Sequence, residues 1–407
     1  MALMSSACRL LPAALILCLG PPQYPTAAFI DVSVLTMDQP GLLEHQTVIA
    51  TDGRVVAIGP VRSMPVPSGA LRISGRGRTL MPGLIDAHVH LKTADVPAYL
   101  ASGILTVRNM WGHPGITRLQ AEISGSRLVG PTIYSLSPGL DASPPSWPYT
   151  QFVDDAAQAD SVVAAQQAAG WTTIKVYQRL SAAAFDSIVA SVRRRHLLFA
   201  GHVPTAVPIQ RALTVGMESI EHYTGYDRAV SRSGNQGTFG WADADTSRFG
   251  PLVEATVRSG TWNCPTMAIN TMLSARQGPE AQQRVVQNRR LFTRALHEHG
   301  ARLVAGTDAG IGFTAPGTSL LDELMEFVAA GFTNWEALRL ATVEPGRLLR
   351  VPQLGTIAIG APAELLLLSG NPADDLGVLR KPVGVLLHGT WIDGTALANA
   401  AQPASPP

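Results

Sequence analysis

From Met81 to about Leu349 the chain alternates apolar runs of strand length with helical segments. The runs are "LMPGLIDAHVH", "GILTVRNM", "GPTIYSLS", "WTTIKVY", "HLLFAGHV", "GMESIEHY", "GTWNCPTM" and "ARLVAGTDAG". Between several of them lie helical patterns. "DAAQADSVVAAQQAAG" closes on glycine, and "SAAAFDSIVASVRRRH" opens with Ser181 at a capping position. "PEAQQRVVQNRRLFTRALHEHG" and "SLLDELMEFVAAG" are further helices. Eight strand-then-helix units in about 270 residues predict an α/β protein built on a closed (β/α)8 barrel. An open doubly wound sheet is the main competitor, but no strand is followed by a Gly-rich phosphate turn.

Both flanks have a different texture. Residues 29–80 carry short alternating or β-branched runs, with Asp52-Gly53 as a hairpin signal. The same texture returns in "GTIAIGAPAELLLLSG" and "PVGVLLHGTWIDG". Residues 29–80 and 350–398 are therefore predicted to pair into a small composite β-sandwich domain. That leaves 81–349 as the barrel and 399–407 as a disordered tail. Ahead of all this, Arg9 precedes "LLPAALILCL", and the small residues Thr26-Ala27-Ala28 follow. This is the layout of a secretory signal peptide over residues 1–28, cut near Ala27 or Ala28, and it predicts an exported protein, periplasmic or secreted. The apolar run is too short to span a bilayer, so no stable membrane insertion is expected after cleavage. Cleavage removes Cys8 and Cys18, leaving Cys264 without an intrachain disulfide partner. Lysine and arginine total 31 against 30 acids, with no basic block, which argues against nucleic acid as a partner. Nothing in the sequence signals an oligomer.

The histidines sort by geometry. In a strand, residues i and i+2 share a face, so His88 and His90 look the same way at the C-terminal end of the first barrel strand. Barrel enzymes keep their chemistry at that end. His297 and His299 have the same spacing inside a helical pattern, where about 200° of rotation separates them and one metal cannot easily hold both. His202, His222 and Asp308 close three other strands. Four imidazoles and a carboxylate at one barrel mouth suit zinc and its first-row neighbours. Lys175 lies inside an apolar strand, where an ammonium is costly. One reading is a buried stem with its head reaching water. The other is a neutral amine that captures carbon dioxide as a carbamate and bridges two metals.

"PGLIDAHVHL", "IKVY", "GHVP", "IEH" and "GTDAG", in this order, resemble the amidohydrolase superfamily, specifically its imidazolonepropionase-like branch with Xaa-Pro dipeptidase-like members. The resemblance runs from about Phe29 to Leu397. It implies two divalent metal ions, with zinc the leading candidate. His88 and His90 would bind the more buried one with Asp308, and His202 and His222 the more exposed one. Lys175, carboxylated, would bridge them, and Asp308 would also take the proton of the bridging water. Asn109, Glu344 and Glu364 stand where many relatives carry Asp, Asn and Asp; none is a metal position.

The implied reaction is binuclear metal-dependent hydrolysis of an amide or peptide-like C–N bond by a metal-bridging hydroxide. A small-molecule substrate of the dipeptide or N-acyl amino acid class is expected. A lactonase or cyclic-imide hydrolase with the same metal site is the alternative, and a non-catalytic binding barrel a more distant one. His113, Tyr177 and Tyr223 are candidates for substrate contact, and the segment around Trp147 reads as a rim or lid.

Overall fold

The structure is a computed structural model and describes residues 25–402. Seven barrel strands form at Leu84–Val89, Ile104–Asn109, Thr132–Ser135, Thr173–Val176, Leu198–Gly201, Ser219–Glu221 and Trp262–Cys264. Each sits in one of two parallel runs, first to third and fourth to seventh. The eighth, residues 303–309, closes the ring by single bridges, Asn263 to Leu303 and Val89 to Ala309. The amide of Ala87 donates to Ala305 O at 3.0 Å, and that of His90 to Ala309 O at 2.7 Å. On the other side, Ser137 N donates to Thr173 O at 3.0 Å and joins the third strand to the fourth. The expected helices appear at Ala159–Ala168, Ala182–Arg194, Pro279–Glu298 and Ser319–Ala329. Ser181 caps the second of these, accepting from Ala184 N at 3.1 Å.

The outer domain is one hydrogen-bonded sheet of eight strands that draws on both ends of the chain. Asp52 and Gly53 both take positive φ, 49° and 72°, the conformation a two-residue hairpin turn demands. The meeting point of the two ends is Leu365–Leu368, which runs antiparallel to Thr79–Pro82. The sheet folds over on itself. Phe29 and Trp391 lie several strands apart in sheet order, yet their rings meet at 5.6 Å. The edge strand Arg54–Pro60 is also tied back, since Val55 N donates to Ala361 O at 3.0 Å. That contact covers an otherwise open edge.

Leu365–Leu368 shows why two cores cohere. Side chains alternate faces along a strand. Leu365 and Leu367 enter the outer core with Phe29 and Val48, while Leu366 and Leu368 enter the barrel core. All four are fully buried. Leu366→Ala is expected to cost about 2–5 kcal/mol, read as a lower denaturant midpoint with an unchanged slope.

Two boundaries differ from expectation. The strand Thr26–Val34 begins inside the stretch assigned to the signal peptide. Ala27 and Ala28 are buried and pair with Ala50 and Ile49, so a cut beside them would remove paired residues. The rest of that reading, residues 1–24, lies outside the described residues. At the other end, Asp393 caps a helix, Gly394–Ala400, that enters the expected tail. Residues 403–407 also lie outside the described residues.

Candidate active site and metal centre

The six residues singled out from strand ends share one mouth of the barrel. His88 is fully buried, and its Nε2 stands 3.2 Å from Asp308 Oδ1. His90 Nε2 reaches the same oxygen at 3.1 Å, and His222 Nε2 is 3.9 Å from Asp308 Oδ2. The His202 ring lies 4.9 Å from that of His222. Lys175 is 1% exposed, and its ammonium lies 6.0 Å from the Tyr177 ring centre. Two of these residues leave their strands in the left-handed region, His222 at φ 61° and Asp308 at φ 58°. Such backbone is uncommon outside glycine and collects at functional sites. Glycine serves where two chains nearly touch. A Cβ on Gly201 would meet the Lys175 stem at 2.9 Å, and one on Gly306 would meet His88 Cβ at 2.7 Å.

Buried charges behind this ring aim its nitrogens. His88 Nδ1 lies 2.8 Å from Glu221 Oε2. Glu221 also accepts from Ser219 Oγ at 2.6 Å and from Arg108 Nη1 at 3.2 Å. Burial alone would raise the Glu221 pKa, but Arg108 and His88 hold it well below the usual carboxylate range. His88 thus donates from Nδ1 and turns Nε2 toward the mouth. His222 follows the same logic. Thr266 Oγ1 donates to Pro265 O at 2.8 Å, so it accepts from His222 Nδ1 at 2.7 Å. Asp86 ties the first strand to the eighth, accepting from Thr307 Oγ1 at 2.6 Å and from His88 N at 3.2 Å.

The electrostatics favour a cation. Burial pushes His202 well below the ordinary imidazole value and brings His222 down to about 3. Both stay neutral, with lone pairs available. Burial also brings Lys175 down to about 8. For His88 burial acts downward, but Asp308 and Glu221 outweigh it and hold the pKa above its usual value. The proton so held occupies a position where a metal ion would serve the same carboxylates. Three buried atoms here make no well-aligned hydrogen bond: His202 Nδ1, and His88 Nε2 and Asp308 Oδ1, which face each other at 3.2 Å. Buried polar atoms are normally well paired, and three that are not, in one cluster, call for a missing partner. Ligand atoms of His88, His222 and Asp308 lie within 4.8 Å of one another. The residues present fit divalent metal.

A cavity of about 620 Å³ opens over this ring, lined by His90, Lys175, His202, His222 and Asp308. Tyr177 and Trp147 also line it, and Trp147 Nε1 donates to Tyr177 Oη at 2.8 Å. Trp147 stacks over His90 with ring centres 6.2 Å apart, a rim position. The other two expected substrate contacts are not brought together with these. His113 caps the helix Pro114–Ser124, accepts from Gly115 N and stacks on Tyr149, outside the cavity lining. Tyr223 is fully buried among Tyr226, Trp241 and Phe292, with its hydroxyl on Thr293 at 2.9 Å. Its apolar ring secures the segment after His222 and cannot reach substrate. Glu221, Arg108 and Thr266 are functional residues beyond those expected from the sequence. The first two carry the same signal as Lys175, a charge inside an apolar strand.

His297 lines a separate cavity of about 770 Å³ near the opposite strand ends, with Glu218, Trp262 and Arg302. It stacks on Phe332 at 3.9 Å. His297→Ala is accordingly expected to leave metal content unchanged, as measured by elemental analysis.

Residues 79–397 match the pattern of the amidohydrolase family. Sixty residues are 38% identical to an imidazolonepropionase of Sphingopyxis alaskensis, a match over 15% of this chain and 15% of that protein. Fifty-six are 45% identical to the imidazolonepropionase of Acidiphilium cryptum, over 13% and 14%. The chain thus spans only about a seventh of the length of these curated relatives. Among solved structures, a prolidase candidate from Bifidobacterium longum superposes with a TM-score of 0.76 at 24% identity, over 93% of this chain and 100% of that one. A Xaa-Pro dipeptidase with methionine in its active site superposes at 0.73 and 20% identity, over 91% and 100%. At these identities the likeness is one of fold.

Proposed function

Because this chain belongs to the amidohydrolase family, we propose that it is a metal-dependent hydrolase of a carbon–nitrogen bond in a small amide, of the dipeptide or N-acyl amino acid class. What supports this most is the convergence of four histidines, one lysine and one aspartate on a single mouth, with His88 Nε2, His202 Nδ1 and Asp308 Oδ1 lacking well-aligned hydrogen bonds there.

In this reading His88, His90 and Asp308 would hold one divalent ion, and His202 and His222 a second. Lys175, carboxylated, would supply a further anionic ligand. Burial lowers the pKa of its amine and so makes the neutral, carbamate-forming amine more accessible. Ions so held would lower the pKa of a shared water and polarise the scissile carbonyl. The chain's own groups do the remainder. Glu221 and Thr266 hold the imidazole tautomers by accepting at Nδ1. Asp308, ionised because nearby histidines outweigh its burial, accepts the water's proton and returns it to the leaving nitrogen. Trp147 and Tyr177 shelter the ring from bulk water at the rim. Export, with a leader ending ahead of Thr26, belongs to the same proposal.

The direct test is a hydrolysis screen of dipeptides and N-acyl amino acids on metal-loaded protein, with a lactone panel beside it. Close to two ions per chain are expected, and chelation should abolish turnover until metal is returned. Lactone cleavage without amide cleavage would replace the reading.

A further inference from the structure

Besides the metal-site residues, the charged groups lining the 620 Å³ cavity are Asp227, Arg228 and Arg276. They are not equivalent. Asp227 is buried, and its carboxylate accepts from the backbone N–H groups of Gly225, Arg228 and Gly237 at 2.9, 2.8 and 2.6 Å. Its charge is already satisfied. Arg228 donates from one terminal nitrogen to Pro204 O and Val207 O at 3.0 and 3.1 Å. Arg276 is exposed, and its guanidinium lies over the Phe313 ring at 5.2 Å. Among the described residues no carboxylate pairs with it. A guanidinium resting on an aromatic face keeps its edge donors free, and that fork matches a carboxylate.

Apolar side chains, Ile269, Leu273, Ile311, Trp147 and Phe239, line the wall alongside polar ones such as Gln178, Thr205 and Asn270. Phe239 is 63% exposed although it sits at the opening of a cavity. It belongs to the helix Gly237–Ala242 in the long segment after His222. That helix is fastened rather than loose. Asn288 Nδ2 donates to Trp241 O at 2.8 Å, and Thr238 hydrogen-bonds Gln277, the neighbour of Arg276. Phe239 and Arg276 are therefore carried on neighbouring, fastened segments of the cavity wall. Rigid elements make more exact sites than free loops.

We propose that the substrate is a carboxylate-bearing amide with a large apolar acyl group, its carboxylate received by Arg276 and its acyl group by Phe239 and Trp147. This rests on the amide-hydrolase reading above and narrows it. Small polar dipeptides and neutral amides are then poor substrates. A charged hydrogen bond to the carboxylate supplies discrimination of about 10- to 100-fold.

The test uses N-phenylacetyl-L-leucine and N-phenylacetyl-L-leucinamide on the metal-loaded full chain, with release of phenylacetate as the readout. The acid is expected to exceed the amide about 10- to 100-fold in kcat/KM. Arg276→Met should erase most of that preference, chiefly through KM, with Arg276→Lys recovering only part. Phe239→Ala should weaken the phenylacetyl substrate about tenfold more than N-acetylglycine. Equal handling of acid and amide by the unsubstituted protein, or equal losses on both in Arg276→Met, overturns the proposal. Calorimetric binding of the same two compounds separates the two readings. If neither is cleaved but the acid still binds more tightly through Arg276, the hydrolase reading falls and the recognition stands. If neither binds, the recognition falls.

Discussion

Asp308→Asn is expected to reduce turnover by about 10²- to 10⁴-fold, the range for loss of a positioned proton-transfer group, while the protein keeps its fold and much of its metal. The substitution conserves shape. Asparagine can still offer an oxygen where Asp308 Oδ1 faces His88 Nε2 and His90 Nε2 at 3.2 and 3.1 Å. What it cannot do is take a proton at neutral pH. The effect should appear in kcat with little change in KM, because the side chain acts on the attacking water and the leaving nitrogen. Elemental analysis beside steady-state kinetics separates this from simple metal loss. Activity within tenfold of the unsubstituted protein would mean that another group moves the proton.

Lys175→Ala should behave differently, losing at least one metal ion and nearly all turnover. Yet the metal-free protein should not be destabilised by the loss of charge. The lysine is 1% exposed, and burial already disfavours its ammonium form. Removing that amine relieves a desolvation cost while opening a small void, so the two effects oppose each other. Thermal midpoints with and without chelator read this out. The metal-dependent part of the midpoint should shrink in the variant, since ligand binding to the folded state is the source of that part. Metal content equal to that of the parent would remove the bridging lysine from the account.

Much of the barrel was legible because its signals are local. Period-two and helical spacing within "WTTIKVY" or "SAAAFDSIVASVRRRH" depend on neighbours a few residues away. So does the shared facing of His88 and His90. The eighth strand was equally readable as "ARLVAGTDAG", although it closes the ring through isolated bridges alone. Tyr223 and His113 misled for one reason. Adjacency to a strand end indicates where the backbone goes, and not which way a loop side chain turns. The left-handed backbone at His222 and Tyr223, φ 61° and 59°, directs the tyrosine into an aromatic cluster with Phe292, a residue far along the chain.

By itself, then, the order of residues determined that eight strands alternate with helices, that both ends return to β structure, and that His88, His90, Lys175, His202, His222 and Asp308 occupy strands or strand ends. Only the tertiary structure decided that Glu221 and Arg108 lie behind His88, that Thr266 orients His222, and that Arg276 shares a cavity wall with Phe239. The physical reason is one of range. Secondary structure follows from hydrogen bonds and side-chain periodicity between near neighbours, whereas a side chain's partners across a core depend on packing every distant segment at once.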